Sequence, residues 1–227
     1  MISKVYKILN LCVAFVLLFT LPTSAAVLSS KANYTQLSEQ ISSETLITED
    51  NIYEVLEYVG LDSNAFTKTD KPNSNSNIVT VGDLEKKIEE FNRRPHTMID
   101  TEDVFIEVIP NVKESYPVMT VYSDTDYGSY TMRYFATGKY YVEPPPPHYT
   151  YWVEALGGDI EVASADFPTV VSIKEINILR NTLYNGGSPG SYLRLDFDYT
   201  VEVFIGVENG LIKIGEDNIS GFKKFYI

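Results

Sequence analysis

The most distinctive side chains of this sequence surround four consecutive prolines at positions 144–147. The flanking residues that could bind a ligand are Tyr140, Tyr141, His148, Tyr149, Tyr151 and Trp152. Aromatic rings offer large contact areas at low entropic cost, which suits a sugar or a peptide. These residues are therefore a candidate binding site. The simpler interpretation, which we favour because exposed tyrosine is common on β-sheet surfaces, is that the arm only joins two strands; a period of two then divides its rings between the two faces of a sheet.

A second candidate site is the pair of carboxylates in the segment 123–128, where Asp124 and Asp126 precede Gly128. Oxygen ligands at alternate positions of a loop can bind calcium. However, the twelfth position from Asp124 is Phe135, where an EF-hand loop carries Glu. Asp and Gly are also ordinary turn residues, so calcium remains an open prediction and no other cofactor is expected.

Paired carboxylates also occur on a strand-like segment, where Asp196, Asp198 and Glu202 share one face. Two carboxylates about 5–9 Å apart can hydrolyse a glycosidic bond, and neighbours at i and i+2 on a strand lie within that range. A solvated sheet face explains the same pattern. The two histidines, His96 and His148, accompany no nucleophile motif, so catalysis of other kinds has no support in the sequence.

The ends and the composition of the chain indicate its compartment. Two lysines, an apolar run and small residues make residues 1–26 a predicted signal peptide. Its removal would take away the only cysteine, so we expect a secreted, disulfide-free protein, a type common among bacteria, with no membrane insertion of the mature chain. A net charge of −13 argues against nucleic acid as a partner, because binding to phosphates requires basic patches.

Two amphipathic helices are predicted before residue 98. The first has Thr48 as its expected N-cap and Gly60 as its end, and the second begins with a capping box formed by Thr80 and Asp83. Between them, residues 67–77 contain no apolar side chain and are predicted to form a linker. These features define a helical N-terminal segment over residues 27–98.

From about residue 99 the apolar period changes from 3.6 to 2, which indicates strands. The clearest strand runs over 193–207, and a break in the pattern predicts a β-bulge near Glu175. We therefore expect an α+β, mainly β fold: a short helical pair followed by an antiparallel β-sandwich, or a small barrel, of seven or eight strands at 99–227.

For function, the sequence favours a non-catalytic extracellular or cell-surface binding module with a cell-wall glycan or an extracellular protein as its partner. The alternatives are a secreted glycoside hydrolase with paired carboxylates and an assembly protein that self-associates through its edge strands.

Overall fold

The computed structural model describes residues 41–69, 79–108, 116–144 and 149–227. The predicted signal peptide, residues 70–77 of the predicted linker and His148 lie outside these ranges. The fold is mainly β, as predicted, with two α-helices near the N-terminal end of the described chain. Within the described ranges, no helix has the length and apolar character needed to cross a membrane.

The helices form where the sequence predicts them. Helix α1 covers Ile52–Tyr58 and helix α2 covers Val81–Asn92, with a short 3₁₀ helix at Ser63–Ala65. The capping box of α2 is confirmed, because Thr80 and Asp83 bond reciprocally to each other's backbone N–H groups. The expectation for α1 was wrong at its start, since Asn51 occupies the N-cap position and its side chain accepts a hydrogen bond from the Thr48 N–H.

The described residues contain eight strands, which form two sheets. A five-stranded sheet contains β1 (Phe66–Lys68), β2 (Thr97–Phe105), β6 (Thr169–Tyr184), β7 (Tyr192–Val207) and β8 (Gly210–Tyr226). Its order is β1-β8-β7-β6, and β2 also pairs with β8. A three-stranded sheet contains β3 (Val118–Asp126), β4 (Tyr130–Val142) and β5 (Thr150–Ala165), in the order β3-β4-β5.

Among these eight strands all pairs are antiparallel except one, which the sequence did not predict: β2 runs parallel to β8. A parallel pair needs a long connection between its strands, and more than a hundred residues separate β2 from β8. The bulge predicted near Glu175 is confirmed, because the β6–β7 register shifts between Ile173 and Glu175.

The main apolar core lies between the two curled sheets. On β7, the alternate side chains from Leu193 to Ile205 are all nearly inaccessible, as their period of two predicted. A second apolar cluster joins the helices to the β7–β8 turn, where Ile205, Val207 and Ile212 pack against α1 and α2. The helical segment therefore covers one end of the five-stranded sheet.

Candidate functional site

The structure divides the predicted aromatic arm between two faces. Tyr140 lies opposite Trp152 and Tyr141 lies opposite Tyr151 across the β4–β5 pair. Trp152 is 0% exposed, its indole Nε1 donates to the Phe225 carbonyl at 3.0 Å, and the Tyr140 ring packs edge-on against it. Tyr140 and Trp152 are therefore core residues, and we remove them from the candidate binding surface.

The remaining tyrosines form an outward surface at the same end of the three-stranded sheet. The Tyr141 ring centroid lies 5.5 Å from that of Tyr151 and 5.5 Å from that of Tyr116, which the sequence analysis did not single out. Tyr149 and Tyr116 are about half exposed. We call Tyr116, Tyr141, Tyr149 and Tyr151 the tyrosine surface. Partial burial, and then the negative charge of Glu143, raise the pKa of Tyr151, so its hydroxyl stays neutral and able to donate at physiological pH.

A second aromatic row crosses the outer face of the five-stranded sheet. Tyr184, Tyr192, Tyr226 and Phe105 lie on four neighbouring strands, with successive ring centroids 5.1, 5.0 and 5.0 Å apart. Sequence reasoning missed this row because it depends on strand register: the β6–β7 and β7–β8 pairs align the three tyrosines, and the β2–β8 pair adds Phe105. The inner rings cover each other's faces, so Phe105, on the edge strand, is the most exposed of the four.

The predicted calcium ligands have other partners. Arg133 donates two hydrogen bonds to Asp124, at 2.7 and 2.8 Å, and the guanidinium holds the pKa of that carboxyl below its usual range. Asp126 accepts the Gly128 N–H at 2.7 Å, which is a turn contact. Across the described ranges, no cluster of three or more His, Cys, Asp or Glu side chains could hold a metal ion. This arrangement favours the turn explanation over calcium.

The carboxylates of the hydrolase alternative are also engaged. Arg194 donates to Asp196 at 2.8 Å, and Asn177 donates to Asp198 at 3.2 Å. Glu202 accepts a hydrogen bond from Lys213 at 2.7 Å. These residues lie on the outer face of β7, which is polar, whereas a general acid needs an apolar site that raises its pKa. The solvated sheet face explains them better than catalysis does.

The inner face of the sheets holds a polar cluster around a buried lysine. Lys223 on β8 is 1% exposed, and its ammonium donates to Asp100 Oδ1 at 2.7 Å, Glu102 Oε2 at 2.9 Å and Thr125 Oγ1 at 2.7 Å. Ser123 donates to the same Glu102 oxygen at 2.7 Å. Three acceptors thus satisfy the three N–H groups of the ammonium.

A chain of tyrosine hydroxyls ends on this cluster. Tyr127 donates to Asp100 Oδ2 at 2.8 Å, and its oxygen lies 2.6 Å from the Tyr134 hydroxyl, which lies 2.7 Å from the Tyr199 hydroxyl. Since Tyr127 has one proton and donates it to Asp100, Tyr134 must donate to Tyr127 and Tyr199 to Tyr134. Burial raises the pKa of all three phenols, so they remain neutral donors.

A second buried carboxylate, Asp217, lies on β8, the strand that also carries Lys223. Asp217 is 0% exposed and accepts hydrogen bonds from Arg94 Nη2 at 2.6 Å and from the Tyr130 hydroxyl at 2.7 Å. His96 Nδ1 lies 3.1 Å from its other oxygen. Arg94 also donates to the Tyr127 carbonyl. This cluster ties the C-terminal end of α2 to β4 and β8, so it fixes the helix on the sheet.

Beside Arg94 there is a cavity of about 390 Å³ between α2 and the turns that follow β3 and β5. Its lining includes Arg94, Tyr127, Asp166 and Thr169. The Thr169 hydroxyl is buried and has no hydrogen-bond partner among the described residues. The cavity therefore offers a polar interior with both charge signs, which the sequence did not predict because its lining comes from four separate segments.

Comparison of the chain with protein-family models, with curated proteins and with solved structures found no significant match.

Proposed function

We propose that this chain is an exported, non-catalytic binding protein whose tyrosine surface contacts a neutral glycan outside the cell. The observation that carries the proposal is the outward cluster of Tyr116, Tyr141, Tyr149 and Tyr151. Each ring combines an apolar face with a hydroxyl that can hydrogen-bond a sugar. Export is supported by the signal-like composition of residues 1–26.

The charge of the chain favours a neutral ligand. A net charge of −13 repels anionic polymers, and Glu143 lies beside the tyrosine surface, where it adds negative charge. The carboxylates of the hydrolase alternative are engaged by Arg194, Asn177 and Lys213, so binding without turnover is the better supported function.

The proposal is tested by binding of the chain to a panel of neutral cell-wall polysaccharides, with affinities measured by calorimetry. The double variant Tyr141→Ala/Tyr151→Ala should weaken binding at least tenfold, because an aromatic hot spot contributes more than about 1.4 kcal/mol. Tyr58→Ala is the matched control: this tyrosine is also exposed, but it lies on α1, away from the tyrosine surface.

Binding that survives the double variant, or an equal loss in Tyr58→Ala, would contradict the proposal. Size-exclusion chromatography over a concentration range covers the assembly alternative. Oligomers that grow with concentration and persist in the tyrosine variants would favour self-association through edge strand β2, which exposes Ile99 and Phe105.

A further inference from the structure

Two lysine–aspartate pairs join the parallel strands β2 and β8, and they differ in environment. Lys224 lies 3.0 Å from Asp103 on the outer face, where both side chains retain contact with solvent. Lys223 lies 2.7 Å from Asp100 on the inner face, where the lysine is 1% and the aspartate 11% exposed. Only the inner pair has a second carboxylate, Glu102, within hydrogen-bond distance of the amine, at 2.9 Å. The outer pair is therefore an ordinary surface ion pair. The inner pair has, in addition to its amine and carboxylate, a second carboxylate that can exchange protons with the amine.

We propose that Lys223 and Asp100 form an intramolecular isopeptide bond, with Glu102 transferring protons and Tyr127 stabilising the reacting carboxyl group. The bond would join β2 to β8 across 123 positions of sequence. The chain has a single cysteine and so cannot form an intramolecular disulfide. The isopeptide bond would provide the kind of covalent cross-link that exported proteins commonly obtain from disulfides.

The reaction balances without any added reagent. An ammonium and a carboxylate together contain the atoms and charges of one amide and one water molecule. Glu102 accepts a proton from the Lys223 ammonium and passes it to Oδ1 of Asp100, so that the lone pair of the neutral amine then attacks Cγ of a neutral carboxyl group. The nitrogen loses a second proton, the Cγ–Oδ1 bond breaks, and both protons leave on that oxygen as water. Glu102 carries these protons in turn and ends as the carboxylate it was at the start.

The geometry suits each of these steps. Tyr127 donates to Asp100 Oδ2 at 2.8 Å, which is the oxygen that develops negative charge during the attack. Burial raises the pKa of Tyr127, so its proton stays on the phenol and the donor is retained. Ser123 donates to Glu102 Oε2 and holds that carboxyl beside the amine.

Proximity lowers the barrier to the reaction, and burial favours its product. Well-oriented intramolecular groups reach effective molarities of about 10⁵–10⁸ M, which accelerates the attack of the amine on Asp100. An ion pair removed from water pays a desolvation cost, and conversion to an amide removes both charges from the interior. The outer pair of Lys224 and Asp103 would gain less from forming an amide, because solvent already stabilises its charges.

The test is mass spectrometry of the folded full chain, both intact and after trypsin digestion. The bond predicts an intact mass lower by one water molecule, and a cross-linked product of peptides 94–113 and 214–224, because trypsin cannot cleave at an acylated lysine. Lys223→Gln should restore the full mass, and Glu102→Gln should slow or abolish the loss. Lys224→Gln is the matched control and should keep the mass deficit.

The digest of the unaltered chain decides the question even if a variant fails to fold. A full intact mass, with normal cleavage after Lys223 in protein that unfolds cooperatively, would overturn the proposal. A mass deficit that persists in Lys223→Gln would also overturn it, because the water would then have been lost elsewhere. Asp100→Asn gives a further check, since the same attack would release ammonia instead of water and so produce a different mass.

Discussion

Asp217 provides the sharpest test of how the buried polar clusters stabilise the fold. It is 0% exposed and accepts hydrogen bonds from Arg94 and Tyr130, with His96 Nδ1 at 3.1 Å. Asp217→Asn keeps the volume but removes the charge that faces Arg94. Loss of one partner of a buried ion pair costs about 3–5 kcal/mol. Because the Arg94 side chain is 19% exposed and can regain some hydration, we expect the lower end, about 3 kcal/mol.

Urea unfolding at pH 7 measures this change. With a slope of about 1–3 kcal/mol/M, a loss of about 3 kcal/mol lowers the midpoint by about 1 M or more. Asp124→Asn is the matched control, because Asp124 also forms an ion pair with an arginine, but at the surface. An exposed pair contributes about 0–1 kcal/mol. If Asp217→Asn costs under about 1 kcal/mol, or no more than Asp124→Asn, the buried cluster does not have the stabilising role assigned to it.

Two further predictions concern the backbone and pH. Gly221 has φ +154°, and an added Cβ would lie 1.8 Å from the Asp100 carbonyl oxygen. Gly221→Ala should therefore lower the free energy of unfolding, measured in urea, by more than about 3 kcal/mol. Gly60→Ala, where the added Cβ meets no atom, should lower it by less. Hydrogen bonds from Thr80 lower the pKa of Asp83. A carboxyl group whose pKa is lower in the folded than in the unfolded chain stabilises the fold at pH values above its unfolded-state pKa, about 3.9. The destabilisation caused by Asp83→Asn should therefore be present at pH 7 and should shrink as the pH falls below about 4. A destabilisation that does not change with pH would contradict this.

Periodicity predicted the elements well because it depends on local burial. The apolar face of β7 consists of alternate residues of a single strand, and the capping box of α2 lies within four residues of sequence. The same period of two assigns the rings of the aromatic arm to opposite faces of the sheet. Tyr140 follows the buried phase of β4, and Tyr141 follows the outward phase. The expected division of the rings is what the structure shows, although the sequence alone could not assign which face was buried.

The second aromatic row and the parallel β2–β8 pair could not be predicted in this way. Phe105 and Tyr226 are far apart in sequence, and no local pattern indicates that β2 and β8 become neighbours. Pairing partners depend on the global topology, which a period of two does not specify.

The buried charges, in contrast, leave a signal in the sequence from which the pairing of β2 with β8 could be predicted. Lys223 and Asp217 are in phase with Ile219 and Phe225 on β8, and all four are buried. On β2, Asp100 is in phase with Val104 and is far less exposed than its neighbours Ile99 and Thr101. A charged residue at an apolar phase is costly unless it is paired, so opposite charges at such positions on two strands indicate that the strands pair.

These inward charges also explain how the parallel register is specified. The inward apolar side chains of β2, Met98 and Val104, are only partly buried, so apolar burial alone would hold β2 weakly against β8. A shift by one residue would turn Asp100 away from Lys223 and leave an uncompensated charge in the core. A shift by two would keep the face but move the Asp100 carbonyl away from Gly221, the one residue opposite it whose missing side chain permits so close an approach. Charge pairing and close backbone contact therefore select the same register, which is the register that brings the proposed reacting atoms together.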